Sequence, residues 1–256
     1  MNFQAVDTPK QIGAFFDLDG TLLPAPSLEW RFLAYLLAHN KISLANIARW
    51  VAQCARNLLR DPNAAIYGNK EYLAGLRESL ASGWASSLLP GSLQFFAGGR
   101  HRICWHFARQ HQIYFVSGTL DPLARPVAST VDRTMARQVP SHIEVFATRL
   151  EVCDARWTGA LAGKHLSGEA KARKIRVIAA ERGLNLARCF AYGNAMADLP
   201  MLSAVGFPSA VNPSSRLERV ARLRGWQIWN WKELAALPRG APQFARVQSL
   251  SRRGAR

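Results

Sequence analysis

Phe15-Phe16-Asp17-Leu18-Asp19-Gly20-Thr21-Leu22-Leu23 is the stretch on which the reading of this chain turns. It follows residues 12–16, a short apolar run of the kind that forms a strand buried on both faces of a parallel sheet. The run stops at two carboxylates two residues apart. Gly20 permits a sharp reversal just after them, so Asp17 and Asp19 are expected to point into one site. A carboxylate can attack phosphorus and form an acyl phosphate, which splits hydrolysis into two easier steps. A second carboxylate can protonate the leaving oxygen and then deprotonate water. Two close anions repel an anionic phosphate, so the pair calls for a divalent cation.

Outward from this stretch, similar apolar runs recur. Residues 113–116 end at Ser117, and residues 189–192 end at Gly193. Residues 205–211 form a fourth candidate, weakened by Pro208, and residues 227–229 a fifth, at an edge. Helical patterns lie between them, notably residues 171–182, which stop at Gly183. Strands alternating with helices predict an α/β fold built on a doubly wound parallel sheet. Ligands bind such sheets beyond the carboxyl ends of the strands. Two stretches break the alternation. Residues 27–98 read as almost wholly helical, with Trp30, Leu33, Leu36 and Leu37 at helical spacing. Residues 144–161 alternate with period two around a turn at 153–156, which predicts a β-hairpin. The expected organisation is a core of residues 1–23 and 99–237, a helical insertion over 24–98 and a basic, disordered tail over 238–256.

Lys and Arg number 33 against 17 Asp and Glu, a net charge of +16. The tail holds five arginines and no acid, so the body alone carries 28 against 17, or +11. Such a body attracts phosphorylated ligands, anionic membranes or nucleic acid without choosing among them. No nucleic-acid motif accompanies the charge, so no nucleic-acid partner is expected, and at most a weak contact with anionic membrane. The apolar runs are too short to span a bilayer, and residues 1–13 contain no signal-like apolar run. Cys54, Cys104, Cys153 and Cys189 share no paired spacing and read as reduced thiols. A cytoplasmic location is expected.

The motif over residues 17–21 resembles the first motif of the haloacid dehalogenase superfamily, Asp-x-Asp-x-Thr. The others follow in that family's order: Val116-Ser117-Gly118-Thr119, then Gly168-Glu169-Ala170-Lys171-Ala172-Arg173-Lys174, then Gly193-Asn194-Ala195-Met196-Ala197-Asp198. The stretches 69–73, 147–152, 210–213 and 224–226 resemble the phosphoserine-phosphatase-like branch, subfamily IB. The resemblance implies a magnesium-dependent phosphatase acting on a small phosphorylated metabolite, with the helical insertion as its cap. Asp17 would be the nucleophile and Asp19 the general acid and base. Ser117, Gly118 and Lys171, with Lys174 as an alternative to the lysine, would hold the phosphate. Magnesium would be bound by Asp17, the backbone carbonyl of Asp19, Asn194 and Asp198. Asn194 stands where the family usually has an aspartate, and its amide brings no charge to the cation. Two rival readings stand beside it: a relative impaired in turnover, resting on Asn194, and a protein that binds nucleic acid or anionic membranes, resting on the charge and the arginine tail.

Three further features read as structural. His101, His106 and His111 lie five residues apart in one expected helix, a spacing that shares no helix face and argues against a metal site. Trp226, Trp229 and Trp231 resemble a cation–π or membrane-interface cluster, but read first as packing at the end of a sheet. Residues 42–59 are amphipathic, with Arg49 and Arg56 seven apart on one face; the stretch could touch a membrane surface, but reads first as a helix packed in the core of the insertion.

Overall fold

The computed structural model describes residues 11–58, 70–88, 94–135 and 142–232. Its centre is a six-stranded parallel sheet in the order β3-β2-β1-β6-β7-β8. The strands are β1 (Gly13–Phe16), β2 (Gln112–Leu120), β3 (Ile143–Thr148), β6 (Phe190–Gly193), β7 (Phe207–Val211) and β8 (Gln227–Trp229). β4 (Leu150–Cys153) and β5 (Arg156–Leu161) form a separate antiparallel pair. The expected α/β doubly wound sheet is therefore what the chain forms.

β1 lies in the middle, paired with β2 on one side and β6 on the other. Its side chains alternate between two cores, as the pleat requires. Ala14 and Phe16 join a cluster with Phe115, Tyr192 and Trp231, whereas Phe15 packs with Tyr114, Val116, Ile175 and Ala191 on the opposite face. All four β1 residues are buried, which explains the unbroken apolar run. The chain leaves β1 toward β2 and returns to β6 on the other side. The order thus reverses between β1 and β6, and Asp17 and Asn194 sit just beyond those two strands.

The helical insertion between β1 and β2 contains α1 (Leu28–Ala38), α2 (Leu44–Leu58) and α3 (Glu78–Leu88), with a short 3₁₀ turn at Glu71–Leu73. Ser27 caps α1, its hydroxyl accepting from the Trp30 N–H at 3.3 Å. α4 (Ala97–Phe107) leads into β2, and α5 (Asp121–Met135) connects β2 to β3. α6 (Glu169–Arg182) ends at Gly183, which adopts φ 63° as a left-handed cap. The short α7 (Leu199–Leu202) and α8 (Ser215–Leu223) flank β7.

Several expectations need correction. The hairpin is shorter than residues 144–161. Ile143–Thr148 instead extends the main sheet as β3, parallel to β2, because β2 offers it a free edge. The hairpin proper is β4–β5, with Asp154 and Ala155 both at positive φ as a tight hairpin turn demands. β2 does not stop at Ser117 but runs on to Leu120, with a register irregularity after Ser117. His101 and His106 share α4, but His111 lies beyond its end. The chain reverses through Gln110 at φ 58° and brings His111 Nδ1 to 2.8 Å from His106 Nδ1. No cluster of three or more metal-ligating side chains occurs there or elsewhere among the described residues. α2 packs against the insertion as expected, by the side that carries Trp50, which lies on the core cluster and meets Tyr72; Leu44 and Val51, on its other side, are exposed. The tryptophans do pack at the sheet end: Trp231 is buried against Tyr192, and Arg102 lies over the Trp229 ring at 4.8 Å. The tail after Pro238 lies outside the described residues. No helix among those described is long and apolar enough to cross a membrane.

Candidate active site

The first motif folds into a tight knot at the end of β1. The N–H groups of Thr21, Leu22 and Leu23 all point at the Leu18 carbonyl, at 3.2, 2.9 and 2.9 Å, and Gly20 N–H donates to the Leu23 carbonyl at 2.7 Å. Gly20 is required twice over. Its φ is 82°, and a Cβ there would lie 2.1 Å from Nδ2 of Asn194. The first and fourth motifs therefore touch through a position that tolerates no side chain.

Asp17 is buried at the centre. Its Oδ1 accepts from Lys171 Nζ at 2.6 Å, and its Oδ2 accepts from the Thr21 hydroxyl at 3.1 Å. Lys171, on the first turn of α6, also donates to Asp198 Oδ1 at 2.6 Å. The other Asp198 oxygen accepts from the N–H groups of Asn194 and Ala195 at 3.0 and 3.1 Å. Asp198 thus orients the lysine and the loop bearing Asn194. Lys174, the alternative to Lys171, stands 5.3 Å over the Phe146 ring instead. Burial works to lower the Lys171 ammonium, but Asp17 and Asp198 overcome it and hold the group charged. Burial pushes the Asp17 carboxyl up to about 7 against the pull of that same lysine, with Asp198 adding to the rise.

Asp19 reaches to the other side. Its Oδ1 accepts from the Leu28 N–H at 2.9 Å, so α1 begins directly on this carboxylate. Its Oδ2 accepts from the Thr119 hydroxyl. Burial raises the Asp19 pKa, and these two hydrogen bonds only partly offset it. A carboxyl so held suits proton donation to a leaving group. Ser117 is buried on β2, one residue past the position level with Asp17. Its hydroxyl accepts from the Thr119 N–H at 3.2 Å. Gly118 lies under the His165 ring, where a Cβ would come 2.9 Å from Cε1.

The residues present suit a hard dication. Asp17 and Asp198 set two carboxylates against the single ammonium of Lys171. The Thr21 hydroxyl lies within reach of both Asp17 Oδ2 and Asn194 Oδ1, the latter at 3.3 Å, so two oxygen donors converge. Oxygen ligands and an excess of negative charge are what magnesium takes.

Residues 14–203 match the model of the haloacid dehalogenase-like hydrolases. The chain belongs to that family. It is 31% identical, over 232 residues, to the phosphoserine phosphatase SerB1 of Mycobacterium tuberculosis, covering 86% of this chain and 70% of that protein. A solved structure of a protein of unknown function from Bordetella pertussis Tohama I superposes with a TM-score of 0.69 at 24% identity, covering 86% of this chain and 99% of that one. An apo phosphoserine phosphatase structure gives 0.56 at 19%, covering 87% and 94%. These two share the fold.

In this haloacid dehalogenase-like hydrolase the site includes residues that the motifs do not single out. Thr119 binds Asp19. Glu29 in α1 accepts from Lys70 Nζ and, at 2.8 Å, from the Tyr72 hydroxyl. The side chains of Lys70 and Tyr72 are buried. Burial, with the nearby Lys70 ammonium, lowers the His165 ring to about 4 and keeps it neutral. Thr119, Lys70 and Tyr72 all fall inside stretches that carry the family resemblance. Glu29 and His165 had no sequence signal, since each meets its neighbours only through the fold.

Proposed function

We propose that this chain is a magnesium-dependent phosphomonoester hydrolase that acts on a small phosphorylated metabolite through an acyl phosphate on Asp17. The observation that supports it best is the Asp17–Lys171–Asp198 arrangement: a buried carboxylate held by an ammonium that a second carboxylate locks in place. Phosphoryl transfer needs mainly positioning and charge neutralisation. Asp17 attacks phosphorus in line with the leaving oxygen. Asp19 gives that oxygen a proton, then takes one from the water that cleaves the acyl phosphate. Lys171, the Ser117 hydroxyl and the Gly118 N–H hold the phosphate oxygens. Asp17, the Asp19 carbonyl and Asn194 would hold magnesium, with Asp198 behind them; bound there, the ion supplies charge neutralisation for the transferring phosphoryl group.

In this reading residues 24–98 act as the cap over the core of residues 1–23 and 99–237. Its polar cluster of Glu29, Lys70 and Tyr72 lies on the Asp19 side, where the leaving group would sit, which favours a hydrogen-bonding leaving group over a purely apolar one. Cys54, Cys104, Cys153 and Cys189 are not joined in disulfides, which suits the reducing cytoplasm. The test is turnover with magnesium across sugar, amino-acid, nucleotide and glycerolipid phosphates, with Asp17→Asn in parallel. The variant is expected to fall roughly 10³-fold or more while keeping its fold. Retention of a few per cent of the wild-type rate in purified Asp17→Asn would rule the nucleophile out.

A further inference from the structure

The inward face of α2 combines a buried amide with the half-buried Ile47, Trp50 and Cys54. Asn46 is buried, and its Nδ2 donates to the Ala74 carbonyl at 2.7 Å. Trp50 meets Tyr72 edge-on, with ring centroids 5.4 Å apart. The opposite arc carries Leu44, Ala48, Val51 and Ala55, at the spacing of one helix face. All four are exposed, Leu44 at 84% and Val51 at 53%. Surface helices normally gain their stability by burying such an arc, so an outward apolar arc marks a surface with another occupant. The preceding helix has an exposed apolar arc of its own. On α1, Trp30, Ala34 and Leu37 recur at the same helical spacing and are exposed too.

Charge selects the occupant. Between Trp30 and Leu58 the chain has Arg31, Lys41, Arg49 and Arg56 and not one Asp or Glu. Arg49 and Arg56 stand on one side of the apolar arc, beyond Ala45 and Ala52, and all four are exposed. Arg49 is tied to the Asn46 amide and Arg56 to that of Gln53, each one turn back. A helix with basic side chains on one side of an apolar arc suits a position in the bilayer interface plane, arc toward the acyl chains and cations among the headgroups. The exposed tryptophan of α1 suits the same interface. The arc is mostly alanine, without the large aromatic anchors that dominate protein interfaces, and nucleic acid would leave the arc unused.

We propose that the outward face of α2 docks on an anionic lipid bilayer, with Leu44 and Val51 entering the interface and Arg49 and Arg56 meeting the headgroups. The test sediments the full chain with vesicles of phosphatidylcholine alone and of phosphatidylcholine mixed with phosphatidylglycerol, at low and high salt. Association with the anionic vesicles is expected, with little on neutral ones and less at high salt. The double variant Leu44→Glu, Val51→Glu should weaken it by roughly tenfold or more. Arg49→Glu with Arg56→Glu should weaken it by a comparable factor. Both variants should keep the circular dichroism spectrum and the soluble-substrate turnover of the wild type, which separates lost docking from lost folding. Four results would overturn the proposal. One is no association of the wild type, and another is equal association with neutral vesicles. A third is undiminished association of the Leu44→Glu, Val51→Glu variant, which would place the contact elsewhere on the basic chain. The last is a concentration-dependent dimer that this variant dissolves, without vesicle binding, which would make a second copy the occupant.

Discussion

The end of the sheet and the outer helix of the insertion treat their side chains in opposite ways. At the sheet end, charged groups are buried and each is held: Lys171 between Asp17 and Asp198, and Asp19 between Leu28 and Thr119. In α2, an amide is buried and leucine and valine face out. Burying a charge costs several kcal/mol unless a partner recovers it, so the sheet end is tolerable only as a complete set. Leaving a leucine in water forgoes stability but strands no charge. The contrast separates a region built for chemistry at fixed geometry from one built to meet something outside the chain.

The sharpest way to break this comparison is to remove the shared cation. Lys171→Met leaves Asp17 and Asp198 buried without it and is expected to cost about 3–5 kcal/mol of stability in urea unfolding, besides activity. The pH dependence follows. In the variant burial keeps the Asp17 carboxyl raised with no ammonium pulling against it, so the folded chain binds more protons than the unfolded one. Its stability should therefore fall as pH rises from about 4, the ordinary carboxyl value, through 8. A cost under about 1 kcal/mol at pH 8 would show that the set is not interdependent.

Asp19→Asn comes next, at roughly 10²-fold in turnover. Good leaving groups need less protonation, so single-turnover phosphorylation should suffer less with an aryl phosphate than with an alkyl phosphate. Equal losses for the two would remove Asp19 from the acid role. Asn194→Asp should have a smaller effect, lowering the magnesium midpoint several-fold because carboxylate oxygens suit this cation better than a neutral amide. Magnesium-dependent thermal shift reads the same change without turnover. An unchanged or raised midpoint would take Asn194 out of the ligand set. An inert wild type beside an active Asn194→Asp would favour an impaired natural protein. Least affected should be Leu44→Ser, within about 0.5 kcal/mol of wild type by urea unfolding. Leu36→Ala, in the buried face of α1, should cost about 2–5 kcal/mol by the same measurement. If the two leucines proved equally costly, α2 would be packed like the rest of the molecule.

The residues that sequence reading reached and those it missed divide along the same line. The central strands are legible because a strand buried on both faces must be continuously apolar, and residues 12–16 and 113–116 satisfy that locally. The motif acids are legible because they stand where such runs end. β3 is not, because the period-two pattern of residues 144–148 is the same whether it pairs with β2 or continues a hairpin. The His106–His111 contact depends on a left-handed turn at Gln110 that makes helical spacing irrelevant.

What the sequence by itself determined is the α/β order of elements, the haloacid dehalogenase-like motif set and the excess of positive charge. Those are properties of short windows and of composition. Only the tertiary structure decided that Lys171 rather than Lys174 faces Asp17, that Glu29 meets Lys70 across 41 residues, and that α2 turns its leucine outward. A helical pattern shows that two faces differ. Which of them turns inward depends on what Tyr72 and Ala74 offer from elsewhere in the chain, and no window around residue 44 contains that information.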